Sequence, residues 1–512
     1  MAPIQNIVVL GAGSAGLMAA LALRRVMPWL HVTIIRSPEI GVIGVGEGST
    51  PNLRAFLLDF LRLDPDRFYR EAGPTWKLGI RFLWGPRGAF NYTFANQIAG
   101  RVKGFGRPMG FYCEDSFDPL NLESAMMLAN RAAERSTQGA PVFPNTHAWH
   151  VENRRFVGWL EAEARALGVA ITDGTVSHVE MAAPDRVGSL LLESGEKVGA
   201  DLFVDASGFR AELLGRALGE PWISYNDALF CDRAIIGGWA RTNEPILPYT
   251  TAETMDAGWC WRIDHETIIN RGYVFSSRFI SDDDARAEFL RKNPKAPADG
   301  RVVKFRSGRF ARPWVGNVVG IGNAAGFVEP LEATALMLIA TEARSLVETI
   351  FETQGRPTPG VIEIFNRGHT QLWDYTRDFL AVHYKYNTLL NTPFWKHARE
   401  QTPLGYAQPI VDFYEENGPS ILAANLLPGG VPGFGYEGFF TLLAGQKAPS
   451  RIRYVIKPEE RLQIAKRHAL LQARAAAGMT SEEALTALRS REWKWNRPEP
   501  VAAPSAPFTS LP

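Results

Sequence analysis

The sequence predicts an α/β (α+β) chain, with a mixed sheet in its first two thirds and a mainly helical module after it. Three observations carry this reading. The apolar run from Ile7 to Leu10 passes through GAGSAG into the alanine- and leucine-rich LMAALALRRVM, then into a second apolar run at 31–35; this is a βαβ unit opening a parallel sheet. Between 225 and 280 aromatic and polar residues alternate, as in an antiparallel sheet. From about 333 to 400 the periodicity becomes helical, interrupted by the turn QGRPTPG.

In GAGSAG, Gly11 permits the tight turn, and Gly13 admits a pyrophosphate to the backbone where Ser14 and Ala15 begin the helix. Gly16 lets helix and strand pack closely. This is a Rossmann-like dinucleotide site. The second strand ends Ile35-Arg36-Ser37, without the acidic side chain that ordinarily holds ribose hydroxyls; Arg36 is expected over an adenine or beside a phosphate, and NADP stays open. Residues 152–167 have helical periodicity, and strand-like runs fill 169–210, closing with ADLFVDASGFR. That segment sets Asp205 and Gly208 after a buried strand, and VGNVVGIGNAAGFVEP repeats the arrangement with Gly322, Asn323 and Gly326. Two extra strand-to-turn segments converging on one nucleotide suit a long ligand such as FAD. Loops rich in Gly and Pro fill much of 402–440, a charged amphipathic helix is expected across 457–490, and RPEPVAAPSAPFTSLP is expected to be disordered. The expected modules are 1–345, binding FAD and including the antiparallel sheet; 346–497, mainly helical and on the substrate side; and a tail, 498–512.

Composition removes several function classes. Lys and Arg number 55 against 54 Asp and Glu, with no basic run, so the electrostatic footprint of a nucleic-acid binder is missing. Three widely spaced cysteines offer neither a disulfide framework nor a metal-ligand cluster and favour a reducing compartment. The amino-terminal stretch lacks the charged and apolar regions of a leader, and no run approaches the roughly 18 apolar residues that span a bilayer. The expectation is a soluble cytoplasmic protein without membrane contact.

The stretch GWCWRID, residues 258–264, is unusual. As a strand it places Trp259, Trp261 and Ile263 on one face and Cys260, Arg262 and Asp264 on the other. An ordinary core strand satisfies that pattern equally well.

With GAGSAG, GVGEGSTP (44–51), TWKLGIRF (75–82), GWCWRID, GNAAGFVEPLEATAL (322–336) and TPFW (392–395) in this order, the chain resembles the flavin-dependent halogenases of the tryptophan halogenase family over nearly its whole length. The resemblance implies an FAD-binding module of the flavin monooxygenase type. It also implies FADH2 delivered by a separate flavin reductase, O2, and chloride or bromide, which yield hypohalous acid that travels a tunnel to a lysine beside an indole-type aromatic. Carried over by motif, Lys77 polarises that acid or forms a haloamine. Glu332 stabilises the arenium ion or takes its proton, and the amides of Thr334 and Ala335 hold halide. Trp259, Trp261 and Ile263 become the wall that keeps substrate from the flavin. Glu47, Gly48, Val176 and Leu336 join the glycine turns around FAD, and Tyr92 and Phe94 form an aromatic sandwich. Phe434, Tyr436 or Glu437, within 429–440, are expected on the substrate side.

The chain departs from the family pattern at several positions. Asp264 stands where proline is expected, Ala333 and Ala335 where Ser and Gly are frequent, and Tyr92 where tryptophan-specific members usually have His. Read without the resemblance, a strand over TWKLGIRF sends Lys77, Gly79 and Arg81 to the face opposite Trp76, Leu78, Ile80 and Phe82, which makes Lys77 an exposed lysine. Glu332 likewise reads as a first-turn helix carboxylate. A simple indole, a peptide or a larger indole compound is favoured over free tryptophan. A flavin-dependent aromatic monooxygenase and a flavin-binding protein without turnover are the alternatives, and a homodimer stays open.

Overall fold

The apolar run Asn6–Leu10 lies inside a six-stranded sheet, between His31–Arg36 on one side and Leu202–Asp205 on the other, parallel to both. Ala170–Asp173 extends one edge, and Val318–Gly320 followed by the short antiparallel Trp314–Val315 extends the other. Runs of Val, Ile and Leu suit strands covered on both faces. Helix Ser14–Val26 buries every residue from Gly16 to Leu23, packing against helices Asn153–Ala166 and Ala335–Glu352. The structure is a computed structural model and describes residues 3–41, 46–114, 117, 118, 120–427, 434–490 and 493. Residues 44–45 of GVGEGSTP, 429–433 of the expected substrate segment and the 498–512 tail lie outside them.

The alternating region forms a seven-stranded mixed sheet in the order Arg301–Lys304, Arg233–Ala240, Ile268–Phe275, Gly258–Asp264, Thr250–Met255, Gly79–Leu83, Phe90–Thr93. GWCWRID is a central strand, and its alternation holds. Trp259, Trp261 and Ile263 join the large core shared with the helical part, whereas Cys260 packs on the opposite face with Tyr273 and Phe275. Asp264, at the position where proline was expected, is fully buried; it accepts from Arg241 at 2.7 Å and from Arg262 at 2.8 Å, so an ion pair ends the strand in place of a missing N–H.

TWKLGIRF is not one strand. Thr75–Lys77 pairs with Ala148–Val151, and Gly79–Leu83 pairs with Thr250–Met255, because the chain crosses from one sheet to another at Leu78. The apolar residues therefore enter three separate clusters, and Lys77 is completely buried rather than exposed. The expected 457–490 helix is two, Pro458–Ala476 and Ser481–Arg489, the second closed by a capping box from Thr480 and Glu483. The expected module boundary at 345 falls inside helix Ala335–Glu352. No helix among the described residues is long and apolar enough to cross a membrane.

Candidate active site

GAGSAG bounds a cavity of about 630 Å³. Gly11 has φ +115°, and a Cβ there would stand 2.4 Å from the Ala206 carbonyl oxygen; one on Gly16 would stand 1.9 Å from the Gly11 oxygen, while one on Gly13 would meet nothing within 4 Å. The first and third glycines thus close the strand–helix joint, and the second leaves room for a ligand at a helix start that no side chain caps. Arg36 lines the cavity, but its guanidinium is bound to Glu161 at 2.8 Å and Asp173 at 2.7 Å. A cation already neutralised twice is a poor receptor for a 2′-phosphate, which disfavours NADP. Glu47, Gly48, Val176 and Asn323 also reach the wall, and burial pushes the Glu47 carboxyl up to about 7. Gly322, Gly326 and Leu336 are not on that wall. The Gly322 N–H is taken by Glu342 at 2.7 Å, Gly326 pairs with Arg309 in a small sheet, and Leu336 packs in the core.

Trp261, Ile263, Thr250, Gly48 and Ala333 also line the cavity. Lys77 does not line it but lies next to Gly48. A Cβ added to Gly48 would be 3.2 Å from Lys77 Nζ, 3.2 Å from Ala333 Cβ and 3.3 Å from Thr250 Oγ1, so a single glycine separates the cavity from the amine. The amine has no hydrogen-bond partner among the described residues and sits 5.3 Å from the Phe94 ring centroid. Burial lowers its pKa to about 7, against the opposing charge of Glu332. Thr250 Oγ1 is bonded at 2.9 Å to His150 Nε2, whose imidazole burial and the Lys77 charge drive well down.

Glu332 lies in the loop before helix Ala335–Glu352, buried, with Oε1 2.8 Å from His383 Nε2 and Oε2 without a partner among the described residues. It makes no helix cap, which removes the first-turn reading. The buried Thr334 is the N-cap, with its Oγ1 also unpartnered, and Ala335 opens the helix; its φ restriction therefore costs nothing. The strain falls instead on Ala333, held at φ +55°, a left-handed conformation that costs an L-residue about 1 kcal/mol.

The chain matches the family described as tryptophan halogenase over residues 6–457. The chain belongs to the tryptophan halogenase family. The tryptophan 7-halogenase RebH of Lentzea aerocolonigenes is 31% identical over 445 residues, covering 80% of this chain and 82% of the relative. Among solved structures, MibH, a lathipeptide tryptophan 5-halogenase, is 37% identical with TM-score 0.86, covering 95% of this chain and 93% of that one. BrvH, a flavin-dependent halogenase from Brevundimonas sp. BAL3, is 27% identical with TM-score 0.82, covering 94% and 99%. The protein is accordingly an enzyme, a flavin-dependent halogenase rather than a hydroxylase.

The aromatic residues expected on the substrate side pack against other aromatic rings of this halogenase. Tyr92 meets Phe379 edge-on at 6.3 Å, and Phe434 stacks on Phe379 at 3.7 Å and 5°. Tyr436 lies against Phe440, 6.1 Å away. Glu437 is not free for a substrate amine, because its carboxylate accepts from the backbone N–H groups of Gln97, Ile98 and Ala99 at 2.5–2.7 Å. Sequence reasoning missed His383, Thr250 and His150. His383 had a signal: in helix Pro359–Tyr386 the buried row Leu372, Thr376, Phe379 continues at His383, a polar residue on an inward face.

Proposed function

We propose that this halogenase uses FADH2, O2 and chloride or bromide to halogenate an indole-type aromatic, with Lys77 receiving the hypohalous acid and Glu332 facing the reacting ring. When bound, the reduced flavin would supply the two electrons that bring O2 to the peroxide level, and this oxidant would take two electrons from halide to give hypohalous acid. The carrying observation is the amine of Lys77, buried beside Gly48, Thr250 and Ala333 and without a hydrogen-bond partner among the described residues, outside the cavity but one glycine from it. The cavity suits FAD: an uncapped helix start meets the pyrophosphate at Gly13, and neighbouring walls hold a long ligand. Thr334 and Ala335 offer N–H groups at a helix start to halide. Lys77, with a pKa near 7, holds hypohalous acid by a hydrogen bond when protonated and forms a haloamine when neutral. Oε2 of Glu332, without a partner among the described residues, is available to an arenium ion or its proton, with His383 fixing the other oxygen. Trp259, Trp261 and Ile263 exclude substrate and water from the oxidant.

RebH is a tryptophan 7-halogenase, and MibH is a lathipeptide tryptophan 5-halogenase. With Glu437 spent on backbone, this site lacks that carboxylate as a clamp for a free amino acid, which favours an indole within a peptide or larger compound. The test supplies a separate flavin reductase, bromide and a panel of indoles and tryptophan-containing peptides. Brominated product is expected, and Lys77→Ala should abolish it while flavin binding persists. Hydroxylated product in halide-free buffer, or normal turnover by Lys77→Ala, would overturn the reading.

A further inference from the structure

We infer that Glu329 is a positioning residue that locks the tryptophan partition and so keeps the oxidant inside the passage. This rests on the halogenase reading above. Glu329 is fully buried and does not line the nucleotide cavity. Its Oε2 accepts from Trp259 Nε1 at 2.9 Å and from Tyr384 Oη at 2.6 Å. Trp259 belongs to strand Gly258–Asp264, Tyr384 to the last turn of helix Pro359–Tyr386, and Glu329 to the loop leading into Glu332. One carboxylate oxygen therefore joins three elements. Three residues on, Glu332 is bonded to His383, the neighbour of Tyr384, so the loop is keyed to the helix by two adjacent side chains. Apolar contacts alone do not distinguish one orientation of an indole from its flip; a bond to its N–H does. Trp259 stands 6.2 Å from Trp261, which lines the cavity and whose own Nε1 has no partner among the described residues. The held tryptophan is thus the anchor of the pair. A buried carboxylate costs several kcal/mol unless hydrogen-bonded, and an apolar side chain would fill the same space, so retention of the acceptor points to orientation rather than packing.

The test uses the full-length enzyme, chemically reduced FAD, O2, bromide, indole, catalase and a water-soluble thioether in the bulk, which hypobromous acid converts to sulfoxide. The readout is the ratio of bromoindole to sulfoxide per FADH2 oxidised. Glu329→Gln, which keeps a carbonyl acceptor, should stay within about twofold of the unaltered enzyme, and Glu329→Met should lower the ratio about tenfold at unchanged FADH2 oxidation, the scale set by small misplacements in active sites. A Glu329→Met protein that melts and binds FAD normally yet keeps the ratio overturns the inference. Should that variant not fold, Tyr384→Phe, which removes one of the two bonds, must lower the ratio about threefold or more, and an unchanged ratio is equally fatal. If the unaltered enzyme makes neither bromoindole nor sulfoxide, the halogenase reading itself fails, and the inference with it.

Discussion

Lys77 shows most directly how burial writes chemistry into one side chain. Its pKa, lowered from 10.5 to about 7, means that between those values the unfolded chain binds more protons than the folded one, so stability rises with pH across that window. Lys77→Met should therefore stabilise the fold by on the order of a few kcal/mol at pH 6, with the gain shrinking as the pH climbs from 7 towards 10.5. Thermal unfolding across pH checks this; a pH-independent gain would mean that the amine is not desolvated. The same titration separates the two roles proposed for the lysine. A protonated donor loses activity as pH rises through about 7, and a haloamine former loses it as pH falls. We expect the first, since a lone buried ammonium has the hypohalous oxygen as its natural acceptor.

At the scale of elements, the segment Glu47–Gly48 is the hinge of the design. It pairs with Ala148–Val151, which also carries Thr75–Lys77 on its other edge, so one short sheet fixes the spacing between the cavity wall and the amine. Thr75 donates to the Asp264 carbonyl at 2.6 Å, tying that sheet to the end of the tryptophan strand. Gly48→Val places methyl groups in the gap before Lys77. Product per FADH2 should fall about tenfold or more while flavin binding changes little, because only the passage is blocked. Fluorescence titration of flavin alongside product analysis checks this, and loss of binding with normal coupling would show that Gly48 serves the nucleotide alone.

For the whole molecule, the decisive feature is that the largest core does not respect the expected boundary. Phe82, Tyr92 and Trp259 share one cluster with Phe379, Tyr384 and Trp395 from the helical part. A chain ending at 345 would expose that surface, leave Glu332 without His383 and cut helix Ala335–Glu352. Residues 1–345 alone should lack a cooperative thermal transition, as calorimetry would show; a sharp transition with bound flavin would establish an independent module.

Local chemistry was legible without coordinates. The glycine turn, the alternation of GWCWRID and the helical stretch after 333 follow from backbone sterics and periodicity, which act over a few residues. Leu78 was not legible as a crossing point between sheets, because the alternation of TWKLGIRF is what an unbroken strand would show and only the separate partners of its halves reveal the break. The pairing of Arg36 with Glu161 and Asp173, of Glu332 with His383, and of Glu437 with three backbone amides likewise brings together groups from 51 to more than 300 positions apart. Such contacts arise when distant elements pack and desolvate each other, and desolvation then sets which charges exist and which donors remain free. Residue types and their local order belong to the sequence alone; whether Lys77 is an exposed cation or a secluded amine was decided by the packing of the whole chain around it.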